Sequence, residues 1–148
     1  MSMELILWRH ADAEDGVRDD ARRLTAKGRK QAQKMAAWLA GHLPADYRVL
    51  VSPTARARET AAAFTENGII EKMISTAATP QGVLKTAGWP DGAGTVIVVG
   101  HQPTLGAAAA LALTGEAAAW SLKKGAIWWL AHDDDGVRVK AVITPGIL

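Results

Sequence analysis

The sequence predicts an α/β fold: a three-layer α/β/α sandwich whose sheet is mainly parallel, with an antiparallel pair near one edge. Three observations carry this. Apolar runs of strand length recur at 4–9, 48–52, 95–100, 126–131 and 137–143, and helical patterns fill the gaps between the first four. The first three runs are continuously apolar, as strands buried on both faces are, and are therefore read as parallel. The last two are separated by "HDDDG", a hairpin signal, which makes them the antiparallel pair. A chain of 148 residues fits one domain over 1–148, without repeats or linkers.

Each element has a local reason. The first strand, "ELILWR", delivers Arg9 and His10 with no turn before them. An unpaired buried guanidinium costs several kcal/mol, comparable to the stability of a small domain, so a partner or an opening to solvent is required there. In "LTAKGRKQAQKMAAWLAGHL", Thr25 is the N-cap, Ala32, Met35, Ala36, Leu39 and Leu43 share one face, and Gly41 frays the end. The strand at 48–52 leads into "TARARETAAAFTENG", a helix opened by Pro53 and stopped at Gly68. The strand at 95–100 leads into "PTLGAAAALALTG", with Pro103 in its first turn and Gly115 at its end.

Composition narrows the function. Half the residues are apolar (49%) and 22% charged, which is ordinary for a globular protein. The absence of cysteine excludes disulfides, thiolate nucleophiles and sulfur-ligated zinc, and agrees with a cytoplasmic setting. Glu4 directly precedes the first apolar run, so no secretion signal is expected. The apolar stretches at 105–113 and 126–131 fall short of the roughly 20 residues of a membrane helix, so no membrane partner is expected. A net charge of +2, without a clustered basic run, gives no sign of a nucleic-acid partner.

Chemistry gathers where strands end. "LILWRHA", "VLVSPTARA" and "VIVVGHQPT" each carry polar or basic residues into a strand-to-helix turn. Carboxyl ends of parallel strands share one sheet edge, so Arg9, His10, Arg56 and His101 are expected together. Two guanidiniums and two imidazoles without a carboxylate select a compact anion, and phosphate fits best. Taken singly, each has a blander reading. A lone histidine beside a core strand is more often structural than catalytic, and His101 could cap the helix at Pro103. A metal held by His10 and His101 is disfavoured, because neighbouring arginines repel a cation and no carboxylate completes the set.

The ordered motifs "RHADA", "RRLTAKG", "VSPTARARETA" and "VVGHQP" resemble the histidine phosphatase superfamily, in particular its small SixA-like branch of phosphohistidine phosphatases. The resemblance implies a phosphoglycerate mutase-like fold and no cofactor or metal. It makes His10 a nucleophile that becomes phosphorylated, Arg9 and Arg56 holders of the phosphoryl oxygens, His101 a donor to the same oxygens, and Arg22 a further phosphate contact; Arg23 is given no role. Ala11 stands where much of the superfamily has glycine, and Ala77 and Ala78 stand where larger relatives and some small ones carry a glutamate. No general acid is evident there. Because protonated phosphoimidazole departs as neutral imidazole, whereas an alkoxide needs a proton, this favours phosphohistidine on a protein, cleaved to inorganic phosphate through a covalent intermediate. About 40 residues between Thr60 and Gly100 leave little room for a helical lid. The alternatives are a metal-independent phosphatase for a small phosphorylated metabolite or another phosphoprotein, or a phosphate-binding module with little turnover. Attack requires a neutral His10 and a donating His101, so the pocket is expected to separate two pKa values that both start at about 6.5.

The remaining candidates read as structural. His42 is a helix-end residue and His132 a hairpin residue; Trp38, Trp120, Trp128 and Trp129 are packing; Trp89, beside Pro90, could flank the cleft. "HDDDG" lacks the spaced ligands of a calcium loop. Asp12, Glu14, Asp15, Asp19 and Asp20 form a mostly solvated loop, from which one acid could reach the pocket.

Overall fold

Leu5 and Leu7 point to one side of strand β1 (Met3–Arg9), and Ile6 and Trp8 to the other. Strand β4 (Gly94–Gly100) divides in the same way, with Val96 and Val98 against Ile97 and Val99. This two-sided burial is why both segments are uninterrupted apolar runs. The computed structural model describes residues 2–148. With β2 (Arg48–Val51), β3 (Ile69–Ile70), β5 (Ile127–Asp133) and β6 (Gly136–Ile143), these strands form one six-stranded sheet in the order β3-β2-β4-β1-β5-β6. The four strands from β3 to β1 are parallel, and β5 runs antiparallel to both β1 and β6.

Helices cover both faces. α1 (Ala26–Ala40) and α2 (Ala55–Ala62) pack Met35, Leu39, Ala57 and Ala61 on the Trp8 side. α3 (Pro80–Ala87) and α4 (Thr104–Thr114) pack Val83, Leu84, Leu105 and Ala108 on the Leu5 side. The three-layer sandwich expected from the sequence is therefore present. Each fully buried leucine or isoleucine contributes about 1.5–3 kcal/mol to it. Among the described residues, no helix is long and apolar enough to cross a membrane.

Several boundaries differ from the sequence reading. Gly41 does close α1, but α2 ends at Ala62, well short of Gly68. Thr54 caps α2, its hydroxyl accepting the Ala57 N–H, while Pro53 stays outside the helix. Helix α3 was not anticipated, although its signals are in the sequence: Thr79 accepts the Gly82 N–H, Pro80 opens the first turn, and Gly88 takes the left-handed conformation at the end. Strand β3 has no readable signal, because two exposed isoleucines paired only with Leu50 and Val51 leave no periodicity. The residues between Thr60 and Gly100 thus supply β3 and α3, and α3 packs under the sheet rather than over its edge.

Candidate active site

Register decides which residues meet. Arg9 pairs with Gly100, so β1 and β4 end side by side, and the Ser52 N–H donating to the Val99 carbonyl brings in the end of β2. Just beyond β1, the His10 N–H donates to the Gly100 carbonyl at 3.0 Å, and the His10 carbonyl accepts from Gly125 N–H at 3.1 Å. The turn that follows is clamped by "LTAKG". Thr25 caps α1 by accepting the Gly28 N–H at 2.9 Å and donates to Asp12 Oδ2 at 2.7 Å, while its own N–H reaches the Asp12 carbonyl at 3.0 Å. Gly28 permits this approach, since a Cβ there would lie 2.0 Å from the Asp12 carbonyl oxygen. Ala11 needs no glycine: among the described residues no non-glycine has positive φ. Its N–H donates to Thr60 Oγ1 at 3.0 Å, and the Thr60 hydroxyl donates to the Arg56 carbonyl at 2.8 Å, tying the turn to α2.

This edge holds a cavity of about 280 Å³ whose wall includes Arg9, His10, Arg22, Arg56 and His101, the five residues expected there. Both histidines and Arg56 are buried, and the two imidazole centroids lie 5.3 Å apart. Arg9 is held by Nη1 donating to the Leu122 carbonyl at 2.8 Å, and Arg56 by Nη1 donating to the Asp19 carbonyl at 2.6 Å and Nη2 to Asp19 Oδ2 at 3.2 Å. Among the described residues, the buried side-chain nitrogens and oxygens without a hydrogen-bond partner are Arg9 Nε, Arg56 Nε and His101 Nδ1, and all three belong to this wall. Leaving such groups unsatisfied costs about 1–3 kcal/mol each, and an acceptor-rich ligand within their reach would offset that cost. A tetrahedral oxyanion is such a ligand, and the guanidinium charges suit it. This accounts for the arginine on a buried strand: its guanidinium is anchored to the Leu122 carbonyl and borders an open cavity.

The two imidazoles share an uncharged state and differ in which ring nitrogen is engaged. Burial pushes His10 down to about 4, the Arg56 and Arg9 charges adding to the effect against the pull of its bond to Ala11. Burial likewise pushes His101 down to about 3, with His10 and Arg56 adding to it. The expected separation of their pKa values is thus corrected, because desolvation acts on both rings alike. His10 Nδ1 lies 2.8 Å from the Ala11 carbonyl and must donate to it, which leaves the Nε2 lone pair available. His101 Nε2 lies 2.7 Å from Ser52 Oγ, which itself accepts the Thr54 N–H at 3.3 Å.

These shifts set a stability window. The unfolded chain protonates its histidines at about pH 6.5, whereas the folded chain does so only near the lowered values. Between these limits the unfolded state binds more protons, so stability falls as pH falls. Asp12, held low by Lys124 and Thr25, and Asp19, held low by Arg56, lose their contribution only as pH drops below about 4, outside most of that window. Urea unfolding between pH 7 and 4.5 is expected to show a declining midpoint, and a His10→Asn/His101→Asn double variant a shallower decline. Equal slopes would show that these imidazoles are not the groups responsible.

Other expectations are refined. Arg22 lies on the cavity wall but is engaged with Asp19 at 3.1 Å and with the Glu14 carbonyl at 3.2 Å. Asp19 is the acid that reaches the site, gripping both Arg56 and Arg22. The His101 side chain does not cap α4; Gln102 does, its Oε1 accepting the Gly106 N–H at 2.8 Å while its Nε2 donates to the Trp120 carbonyl. Trp89 does not flank the cleft. Its ring contacts His132, which pairs with Met3 at the opposite end of the sheet. His42 closes α1, its ring stacked on Trp38. The sequence reading missed Ser52, Thr60, Thr76 and Lys124. Thr76 lies in the segment where a carboxylate was sought and reaches the cavity wall, as does Lys124, which pairs with Asp12 at 2.8 Å.

Fold and site together define a phosphoglycerate mutase-like α/β protein with a cavity walled by basic side chains at the carboxyl edge of its parallel strands. The family model of the histidine phosphatase superfamily (branch 1) matches residues 5–77. Phosphohistidine phosphatase SixA of Escherichia coli is 33% identical over 126 residues, covering 77% of this chain and 76% of that protein. An uncharacterised protein of Mycobacterium leprae is 38% identical over 106 residues, and the match covers 68% of this chain and 63% of the relative. Among solved structures, a protein named SixA from Nakamurella multipartitia superposes with a TM-score of 0.80 at 31% identity, covering 98% of this chain and 97% of that one. The protein histidine phosphatase SixA complexed with tungstate superposes with a TM-score of 0.83 at 25% identity, covering 98% of this chain and 99% of that one. The chain belongs to the histidine phosphatase superfamily, in its small SixA-like branch.

Proposed function

We infer that the protein is a phosphatase that hydrolyses phosphohistidine on a protein, through a phosphate carried transiently by His10. The observation that carries this reading is the set of unpartnered nitrogens on Arg9, Arg56 and His101 around a His10 whose Nδ1 is engaged and whose Nε2 is not. Lowered pKa values keep His10 unprotonated at neutral pH, as a nucleophile must be. Nε2 attacks phosphorus, the substrate P–N bond breaks, and the departing imidazole keeps the electron pair of that bond and the proton already on its other nitrogen. Arg9 and Arg56 balance the charge on the equatorial oxygens, and His101 donates through Nδ1. Water then attacks the same phosphorus, its proton passes to solvent, and His10 and inorganic phosphate are restored.

Substrate preference follows from the cavity wall. Its described residues include no Asp or Glu, and Thr76 occupies the segment where an acid was sought. A general acid contributes about 10²–10⁴-fold to reactions that need one, so alkyl phosphates lose that factor while phosphoimidazole loses little. The relatives named SixA support the same substrate class, and the tungstate complex of one of them supports an oxyanion site. Purified protein is expected to cleave free phosphohistidine with a kcat/KM at least about a hundredfold above that for phosphoserine or 3-phosphoglycerate. Faster cleavage of the alkyl phosphates would overturn the assignment.

Ser52 is a positioning residue in this reading. Its hydroxyl lies 2.7 Å from His101 Nε2, and as the donor in that contact it would fix the His101 proton on Nδ1, the nitrogen assigned to the phosphoryl group. Ser52→Ala is expected to lower kcat about tenfold, in line with about 1.4 kcal/mol for one oriented hydrogen bond, with KM little changed and partial recovery in Ser52→Thr. A change confined to KM would contradict this role.

A further inference from the structure

The catalytic cavity does not stand alone. It shares Arg9 and Lys124 with a neighbouring hollow of about 500 Å³, and that hollow shares Lys27, Gln31 and Pro145 with a third of about 430 Å³ running along α1. The trough formed by these two hollows carries six cationic side chains: Arg9, Lys27, Lys30, Lys34, Lys123 and Lys124. Its described lining residues include no Asp or Glu. All five lysines are exposed. Lys124 pairs with Asp12 and Lys34 donates to the Leu148 carbonyl, while Lys27, Lys30 and Lys123 form no ion pair among the described residues. Lys27, Lys30 and Lys34 fall at i, i+3 and i+7, one face of a helix, so their charges line up over about 10 Å.

This concentration of charge is out of proportion to the protein as a whole, whose net charge is only +2. Like charges placed side by side repel, and the Asp12 carboxylate, paired with Lys124, offsets only part of them. We propose that the trough is a docking surface for the acidic face of the phosphorylated substrate protein, which would lay carboxylates along α1 while its phosphohistidine enters the cavity. The proposal rests on the phosphohistidine reading and adds to it the character of the substrate's surface. A protein partner is favoured over nucleic acid because no Phe, Tyr, Trp or His lines the two hollows beyond the catalytic cavity, leaving no platform there for base stacking. Complementary charge of this kind sets partner choice and association rate, and salt weakens it.

Two measurements separate docking from chemistry. Calorimetry at low salt compares an unphosphorylated peptide carrying four glutamates beside its histidine with a serine-substituted peptide and with an oligothymidylate of equal charge. The glutamate peptide is expected to bind at least tenfold more tightly than either, to lose that advantage at 0.5 M salt, and to lose it in a Lys27→Glu/Lys30→Glu/Lys34→Glu variant. Equal binding of the two peptides, or tighter binding of the oligothymidylate, would overturn the proposal. Turnover is then measured on phosphohistidine forms of the same peptides. The triple variant is expected to lose at least tenfold in kcat/KM on the acidic peptide and to cleave free phosphohistidine at the wild-type rate, because its lysines lie off the catalytic cavity. Failure of the wild-type protein to cleave any phosphohistidine substrate would remove the enzymatic reading, and the binding measurement would still decide the docking surface.

Discussion

His10→Ala is expected to abolish turnover, with a loss of at least about 10⁴-fold; removing the nucleophile of a covalent hydrolase elsewhere costs on the order of 10⁶. No other group on the described cavity wall can replace it. His101 Nε2 is engaged by Ser52, and the two acids paired with wall residues, Asp19 with Arg56 and Asp12 with Lys124, are held in their weakly nucleophilic, low-pKa form. His10→Asn tests the same point with less disturbance, because an amide keeps approximate shape and can still donate to the Ala11 carbonyl. It is expected to bind tungstate or phosphate by calorimetry with near wild-type affinity and yet to release no phosphate. Near-normal turnover in either variant, with an unchanged melting temperature, would move the nucleophile to water or another residue.

Arg56→Ala is expected to lower kcat by a hundredfold or more, about 3 kcal/mol, the scale seen when one donor to a developing oxyanion is removed. Arg56 is among the most buried charges in the protein, so its field is poorly screened. The loss should fall mainly on kcat, because the charge it meets is greatest in the transition state. Arg56→Lys keeps the charge but cannot make both contacts to Asp19, at its carbonyl and carboxylate, while presenting a further N–H, so recovery is expected to be partial. A kcat unchanged in Arg56→Ala would remove the arginine from the chemistry.

Much of the site was legible because it lies at strand ends. Arg9, His10 and His101 follow uninterrupted apolar runs, and Arg56 follows a Thr-capped helix start, so parallel strand order alone brings them to one edge. The supporting residues carried no such mark. Ser52 reads as turn chemistry beside Pro53, and its role exists only because β2 and β4 end together and place it 2.7 Å from His101. Asp19 is one acid among five in a loop, distinguished solely by where the short 3-10 turn at Asp19–Ala21 meets α2. The basic trough was invisible as a run, since Lys27, Lys30 and Lys34 belong to α1 while Lys123 and Lys124 precede β5, and only folding brings them together. The state of the imidazoles was misjudged for a similar reason: sequence displays neighbours in the chain, whereas desolvation depends on everything packed around the ring.

The covalent intermediate on His10 is the claim on which the account turns, and rapid quenching with ³²P-labelled phosphohistidine tests it most directly. The expected result is label on a peptide containing His10, lost in acid and stable in base, and absent from the His10→Asn variant. Label that survives acid and is lost in base, or wild-type turnover with no label on His10 at any quench time, would contradict it.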